Sequence, residues 1–276
     1  MTYASRMKAW YDNIFKTYSV EEIVGNYDYH ENFPYETQLL FFNGDIRKPI
    51  FGDFSSLNAF EIGCGEGRMI RRMSSFFKQV DGADIAQTMV SAAKTRCAGS
   101  DIFLTDGTGC GDANSSAYDF VYCTISLQHI ASYDTRRSIL NDIVRVLKPT
   151  GKVTLQLLFS SDFPYVPKGD ARAEIGGALV KVLPRNTHNH ASYFENREDA
   201  AGSNGACDCI IGASDINPVK DDFLTLFETC DLWFYDVSVG RDRQALSPIH
   251  PNSHGHPDNW QTHMIFVHCT KPRKSL

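Results

Sequence analysis

Glu61-Ile62-Gly63-Cys64-Gly65-Glu66-Gly67-Arg68 sets three alternating glycines behind an acid. Glycines at this spacing admit positive φ and let a ligand approach the backbone, and a helix starting beyond them presents free N–H groups. Such a turn suits a nucleoside or a phosphate group. The dinucleotide pattern, however, needs Gly-x-Gly-x-x-Gly, and Arg68 stands where its third glycine would fall. One further acid is a candidate to meet the same ligand. Asp84 follows about twenty residues on, where a carboxylate can accept hydrogen bonds from ribose hydroxyls. Asp81 competes for that role but comes early in its strand, whereas Asp84 closes it. Asp106-Gly107 ends the next apolar segment and reads by itself as a turn aspartate. His129 is the candidate proton acceptor, because an imidazole titrating near pH ~6.5 suits removal of a hydroxyl proton.

These residues need a scaffold that brings strand ends together. Leu57 to Ile62 reads as a short apolar strand, and Met69, Ile70, Met73, Phe76 and Phe77 recur at helical spacing after the turn. Gln79 to Ile85 is a second strand and Ala86 to Ala93 a second helix. Asp101 to Leu104 and Tyr118 to Cys123 are further strands, the latter apolar enough to be central in a parallel sheet. Thr135 to Leu147 is amphipathic, and Lys148-Pro149-Thr150-Gly151 predicts its end before a strand over 152–159. Strands alternating with helices predict an α/β doubly wound parallel sheet. After a last helix over 218–230, the strands at 231–239 and 261–269 have no helix between them and should pair antiparallel.

Taken together, the acid-x-Gly-x-Gly-x-Gly turn, Asp84-x-Ala86-x-x-Met89 and the Leu147-Lys148-Pro149-x-Gly151 turn resemble the class I S-adenosylmethionine (SAM) dependent methyltransferases, motif by motif over residues 55–160. Ala86 replaces the serine usual in the second motif. The resemblance implies a Rossmann-like, seven-stranded sheet of order 3-2-1-4-5-7-6 with an antiparallel last strand. It implies SAM as cofactor, bound by Glu61, Gly63, Cys64, Gly65, Gly67, Asp84, Ile85, Asp106, Gly107 and Cys123. Within that set Ile85 would lie on the adenine, Asp106 would accept the adenine amino group, and the backbone at Cys123 would pass the methionine moiety. His129 would lie beside the transferring methyl as the catalytic base.

The rest of the chain frames this core. Residues 1–54 are read as an N-terminal helical cap or lid, with an amphipathic helix within 3–24 and a second at 34–42. Tyr11, Tyr27 and Tyr29 are candidates to face the pocket. Residues 161–217 form an insert above the site, whose Arg172, Lys181, Arg185, His188, His190, Tyr193 and Arg197 could bind a polar or anionic small molecule. Residues 218–276 close the core. The function expected is methyl transfer to a small polar metabolite such as a sugar or an acid, at a hydroxyl. The alternatives are transfer to nitrogen, SAM binding without turnover, and an NAD-dependent oxidoreductase.

Composition sets bounds on partners. Hydrophobic residues make up 42% of 276, so a substantial core is expected, and the net charge of −6 argues against nucleic acid. No apolar run approaches the length of a membrane span, and residues 1–10 carry no leader-like apolar run. Eight scattered cysteines, several inside apolar elements, suggest reduced core thiols and a cytoplasmic protein. The pairs His188/His190 and His254/His256 lie in loop-like sequence, so no metal is expected. An apolar face on the N-terminal helix or the insert could be covered by a second subunit, which leaves room for a homodimer.

Overall fold

Strands that are apolar on both sides must be covered on both sides, and helices from alternating crossovers do this. The computed structural model describes residues 2–17, 19, 41, 49–124, 126–159, 172–175, 178–181, 190–194, 196, 210–212, 217–235, 247–248 and 263–274. Helix α1 (Tyr3–Thr17) precedes β1 (Asn58–Ile62), α2 (Arg68–Met73), β2 (Gln79–Asp84), α3 (Gln87–Arg96), β3 (Ile102–Leu104), β4 (Tyr118–Cys123), α4 (Tyr133–Val146) and β5 (Leu147–Phe159). The later part of the chain holds β6 (Arg172–Ile175), β7 (Ala178–Lys181), β8 (His190–Ser192), β9 (Ile210–Gly212), α5 (Asn217–Leu224), β10 (Phe227–Tyr235), β11 (Ser247–Pro248) and β12 (His263–Pro272).

The main sheet runs β11-β10-β12-β5-β4-β1-β2-β3. Strands β1 to β5 pair parallel, and β12 pairs antiparallel with both β5 and β10. Seven strands therefore follow the expected 3-2-1-4-5-7-6 order with an antiparallel closing strand. The two-residue β11 adds an edge that the sequence does not announce, and Pro248 suits an edge position. Alternate residues feed two cores. Val121, Cys123, Val153, Leu155 and Leu157 join the layer with α4 and α5. Ala59, Phe120, Tyr122 and Phe266 join the layer with α2, α3, Phe41, Phe54 and Phe77.

Several details differ from expectation. Helix α5 ends at Leu224 instead of continuing to residue 230, because Arg273 from the end of β12 binds the carbonyls of Leu224 (3.1 Å), Leu226 (2.7 Å) and Phe227 (3.0 Å) and turns the chain into β10. Strand β5 begins at Leu147, with no separate turn before it. Its extra residues are absorbed where the pairing jumps from Tyr118–Leu147 to Phe120–Lys152. The insert, expected to be irregular, contains the antiparallel pair β6–β7 and the parallel pair β8–β9. Of the expected helix over 34–42, Phe41 alone is described, and it is helical and fully buried.

The insert is tied to the core through buried polar contacts. Tyr193, a candidate substrate residue by sequence, is instead a core side chain whose hydroxyl donates to Asp222 Oδ2 at 2.9 Å. Tyr133 donates to Asp222 Oδ1 at 2.7 Å and Arg137 to the same oxygen at 2.8 Å. The buried Arg136 donates to the carbonyls of Ile130 and Tyr193 and lies over the Tyr193 ring at 5.4 Å. Asp222→Ala should lower the unfolding free energy by about 3 kcal/mol, since it strips partners from two phenols and a guanidinium in a dry site. Denaturant titration measures this, and an unchanged midpoint would show that the cluster does not hold the insert.

Candidate functional site

The glycine turn wraps around the end of the neighbouring strand. Gly63 and Cys64 both donate their N–H groups to the Ala83 carbonyl, at 2.9 and 3.0 Å. Gly63, Gly65 and Gly67 all take positive φ, at 68°, 53° and 85°. A Cβ on Gly63 would collide with Ser126 Oγ, and one on Gly67 with Cys97 Sγ, whereas one on Gly65 would meet nothing within 4 Å. Packing thus demands glycine on the two flanks, and the middle glycine faces open space. Glu66 is buried beneath the turn and paired with Arg96 and Arg71, which fastens it to α3.

Asp84 joins this turn to the next one. Its Oδ2 accepts from Gly65 N at 2.9 Å and its Oδ1 from Ala86 N at 2.8 Å. A carboxylate offers about four lone-pair sites, so Asp84 keeps acceptor capacity beyond its backbone donors. Burial raises its pKa from the ordinary carboxylate value, while the N–H groups of Ala86 and Gly65 oppose that rise. Asp81, the competing acid, is a structural group: it receives Tyr118 Oη (3.0 Å), Gln79 Nε2 (2.7 Å) and Asp101 N (2.9 Å).

Glu61 lies at the foot of the turn with 1% of its surface exposed. Tyr122 Oη donates to one of its oxygens at 3.4 Å and Thr124 Oγ1 to the other at 3.3 Å. Tyr122 in turn packs edge-on against the buried Phe41, with ring centroids 4.9 Å apart. Burial pushes its pKa up to about 8 against the attraction of Arg68. Cys64 and Cys123 also have raised pKa values through burial, Cys123 to about 12, so both are neutral thiols. The Cys64 and Cys123 side chains belong to the two cores, which leaves their backbone as the part at the strand ends.

The other sequence candidates gather along the same edge. Asp106 is exposed, and one of its oxygens accepts Thr108 N (2.9 Å) and Thr108 Oγ1 (2.6 Å), leaving the second for another donor. Gly107 takes φ 93°, and a Cβ there would come within 2.6 Å of Ile85 Cδ1 and 3.4 Å of Ala4. Ile85 is partly buried and packs against a small cluster that includes Tyr3, Met7 and Ala131. His129 ends a single 3-10 turn (Leu127–His129) just beyond β4 and is partly exposed. Tyr27, Tyr29, Arg185, His188, Arg197, His254 and His256 lie outside the described residues, and Arg172, Lys181 and His190 are described by backbone alone.

Several contributors escaped the sequence reading. Ser126 donates to the Gly63 carbonyl at 3.2 Å. Helix α1 spans the strand ends: Tyr3 Oη accepts from Ala131 N (2.8 Å), Lys8 Nζ donates to the Ile85 carbonyl (2.9 Å) and pairs with Asp12, and Asp12 accepts from Thr88 N (3.5 Å). The loop carrying Asp106 is held to α4 by Asp142, which accepts Cys110 N at 2.7 Å, and by Arg145, which donates to the carbonyls of Ala113 and Gly111. Apart from the i, i+4 pair Lys8–Asp12, these contacts span from 32 to 128 positions, and a polar residue on a helix face gives no local sign of such a partner.

The arrangement offers acceptors for a sugar, an acceptor for an amine, open space over a glycine turn and an imidazole nearby. Residues 60–155 match the methyltransferase-domain family. The chain is 27% identical over 154 residues to a ubiquinone biosynthesis O-methyltransferase of Xanthomonas oryzae pv. oryzae, covering 54% of this chain and 61% of that protein. It is also 27% identical over 177 residues to the ubiquinone biosynthesis O-methyltransferase of Nitrosomonas europaea, covering 62% and 72%. The alignment thus spans about three fifths of the first of these relatives. A SAM-dependent methyltransferase structure from Thermotoga maritima superposes over 96% of this chain and 99% of its own, with TM-score 0.53 and 13% identity, a likeness of fold.

Two outcomes test this geometry. Gly63→Ala, which must accept both positive φ and the Ser126 collision, should cost about 2 kcal/mol of stability, read by chemical denaturation. Glu61 holds its proton more tightly when folded, so its stabilising contribution is present below pH about 4.5 and is lost as pH rises through about 8. Thermal melts of ligand-free protein should therefore fall relative to Glu61→Gln over roughly pH 5 to 9; parallel curves would contradict the raised pKa.

Proposed function

We propose that this chain, which carries a class I SAM-dependent methyltransferase domain, transfers a methyl group to a hydroxyl of a small polar metabolite. The observation that supports this best is the junction of strand ends, where Asp84 bridges Gly65 and Ala86 beside the open face of the glycine turn. The donor set fits a zwitterionic nucleoside. Asp84 would accept the ribose hydroxyls, Ile85 and Gly107 would bound the adenine, and Asp106 would accept its amino group. Glu61, the backbone of Gly63, Cys64, Gly65 and Gly67, and the backbone at Cys123 would line the amino-acid end. Bound there, SAM would supply an electrophilic methyl group on its sulfonium sulfur.

His129 would take the acceptor's hydroxyl proton, and the strand-end loops would hold acceptor and methyl group in line. Much of the rate then comes from orientation. Helix α1, the residues before β1 and the insert would act as the cap, with the insert setting which metabolite enters. The O-methyltransferase names of the relatives favour oxygen as the acceptor atom. Cytoplasmic action belongs to the same proposal: Cys64, Cys97, Cys110, Cys123, Cys230 and Cys269 are buried free thiols.

Calorimetric titration should give micromolar binding of S-adenosylhomocysteine and none of NAD; binding of NAD alone would overturn the cofactor assignment. Labelled SAM should then methylate a member of a panel of hydroxylated sugars and acids. With that acceptor, His129→Ala should cut turnover by about 10²- to 10⁴-fold while leaving S-adenosylhomocysteine affinity within about twofold. Equal turnover would remove His129 from the chemistry.

A further inference from the structure

Among the buried acids, Glu61 is the exception. Glu66 is paired with Arg96 and Arg71, and Asp222 with Arg137. Asp81 receives three donors, one of them a backbone N–H. Asp84, at the strand end, accepts two backbone N–H groups. Glu61 has two hydroxyl contacts, at 3.4 and 3.3 Å. Both are well beyond the roughly 2.5–2.7 Å of a hydroxyl bound to a carboxylate. Among the described residues, no cation lies within ion-pair distance of it. It nevertheless sits directly before the glycine turn, in register with Tyr122 on β4 and Gly82 on β2.

We propose that Glu61 is a proton-linked counter-ion for the cofactor: its carboxyl is neutral in the ligand-free protein and ionises, releasing its proton to solvent, when the cationic end of SAM reaches the glycine turn. The inference rests on the cofactor assignment above. No covalent bond other than O–H is broken, and the new carboxylate is balanced by the positive charge that the ligand brings.

The surroundings favour this exchange. Arg68 at the start of α2 draws the carboxyl toward ionisation, and Asp84 opposes it. Cys64 in the turn, Cys97 after α3, and Tyr122 and Cys123 on β4 all feel Glu61, and all have raised pKa values, so none supplies a competing anion. A bare carboxylate in this buried site would be costly each time the cofactor left. A neutral acid avoids that cost and becomes a charge when a cation arrives.

The test is calorimetric titration of the full chain with SAM at about pH 6.5, in two buffers of different ionisation heat. The pH stays below about 7, so that the ligand's α-amino group remains charged. Close to one proton should be released per SAM bound, and affinity should rise up to about tenfold per pH unit over roughly pH 5.5 to 7. Glu61→Gln, which keeps shape and hydrogen bonding, should bind with no proton release and a flat pH dependence. Wild-type binding without proton exchange overturns the inference and leaves the cofactor assignment standing. Undiminished release from Glu61→Gln also overturns it, because the proton would then come from another group such as Asp84. Failure of SAM to bind at any pH is different: it removes the cofactor assignment itself.

Discussion

The two bonds made by Asp84 hold the site together. One carboxylate oxygen accepts from Gly65 and the other from Ala86, so the turn after β1 and the turn after β2 are fixed to a single side chain. Because Gly63 and Cys64 both rest on the Ala83 carbonyl, the glycine turn cannot move without breaking contacts to the same strand end. The three positive-φ positions are tolerable under that constraint and would be costly for other residues. Ser126 closes the third side by binding the Gly63 carbonyl from the loop after β4. Three successive strand ends therefore move as one unit, which is what positioning a reacting group requires.

Around that unit the chain places polar groups in dry surroundings and satisfies most of them. Arg136 is buried but serves two carbonyls, one in the loop after β4 and one in the insert. Asp222 gathers Tyr133, Tyr193 and Arg137 and so links α4, the insert and α5. These contacts couple the insert to the loop that bears His129. Glu61 departs from the pattern, as a buried acid at a strand end with only two long hydroxyl contacts.

Helix α1 adds a different constraint. It touches the loops after β2, β3 and β4 through Lys8, Ala4 and Tyr3, so it lies across the carboxyl ends of the sheet. Any ligand along those ends is bounded by this helix.

Much was legible in the chain itself. The alternation of apolar strands with amphipathic helices, the glycine turn and the acid closing β2 fix the parallel core and its binding edge, because each depends on local periodicity or on residues adjacent in sequence. The absence of a helix between the last two long strands likewise determines that they pair antiparallel. What tertiary structure alone decided depends on residues far apart: that Ser126 needs Gly63, that Arg273 ends α5 at Leu224, that Tyr193 is an anchor instead of a substrate ligand. The identity of Glu61 as an acid is plain in the sequence; its protonation is not. That is set by how completely the packing around β1 and β4 excludes water, and desolvation is a property of the assembled fold.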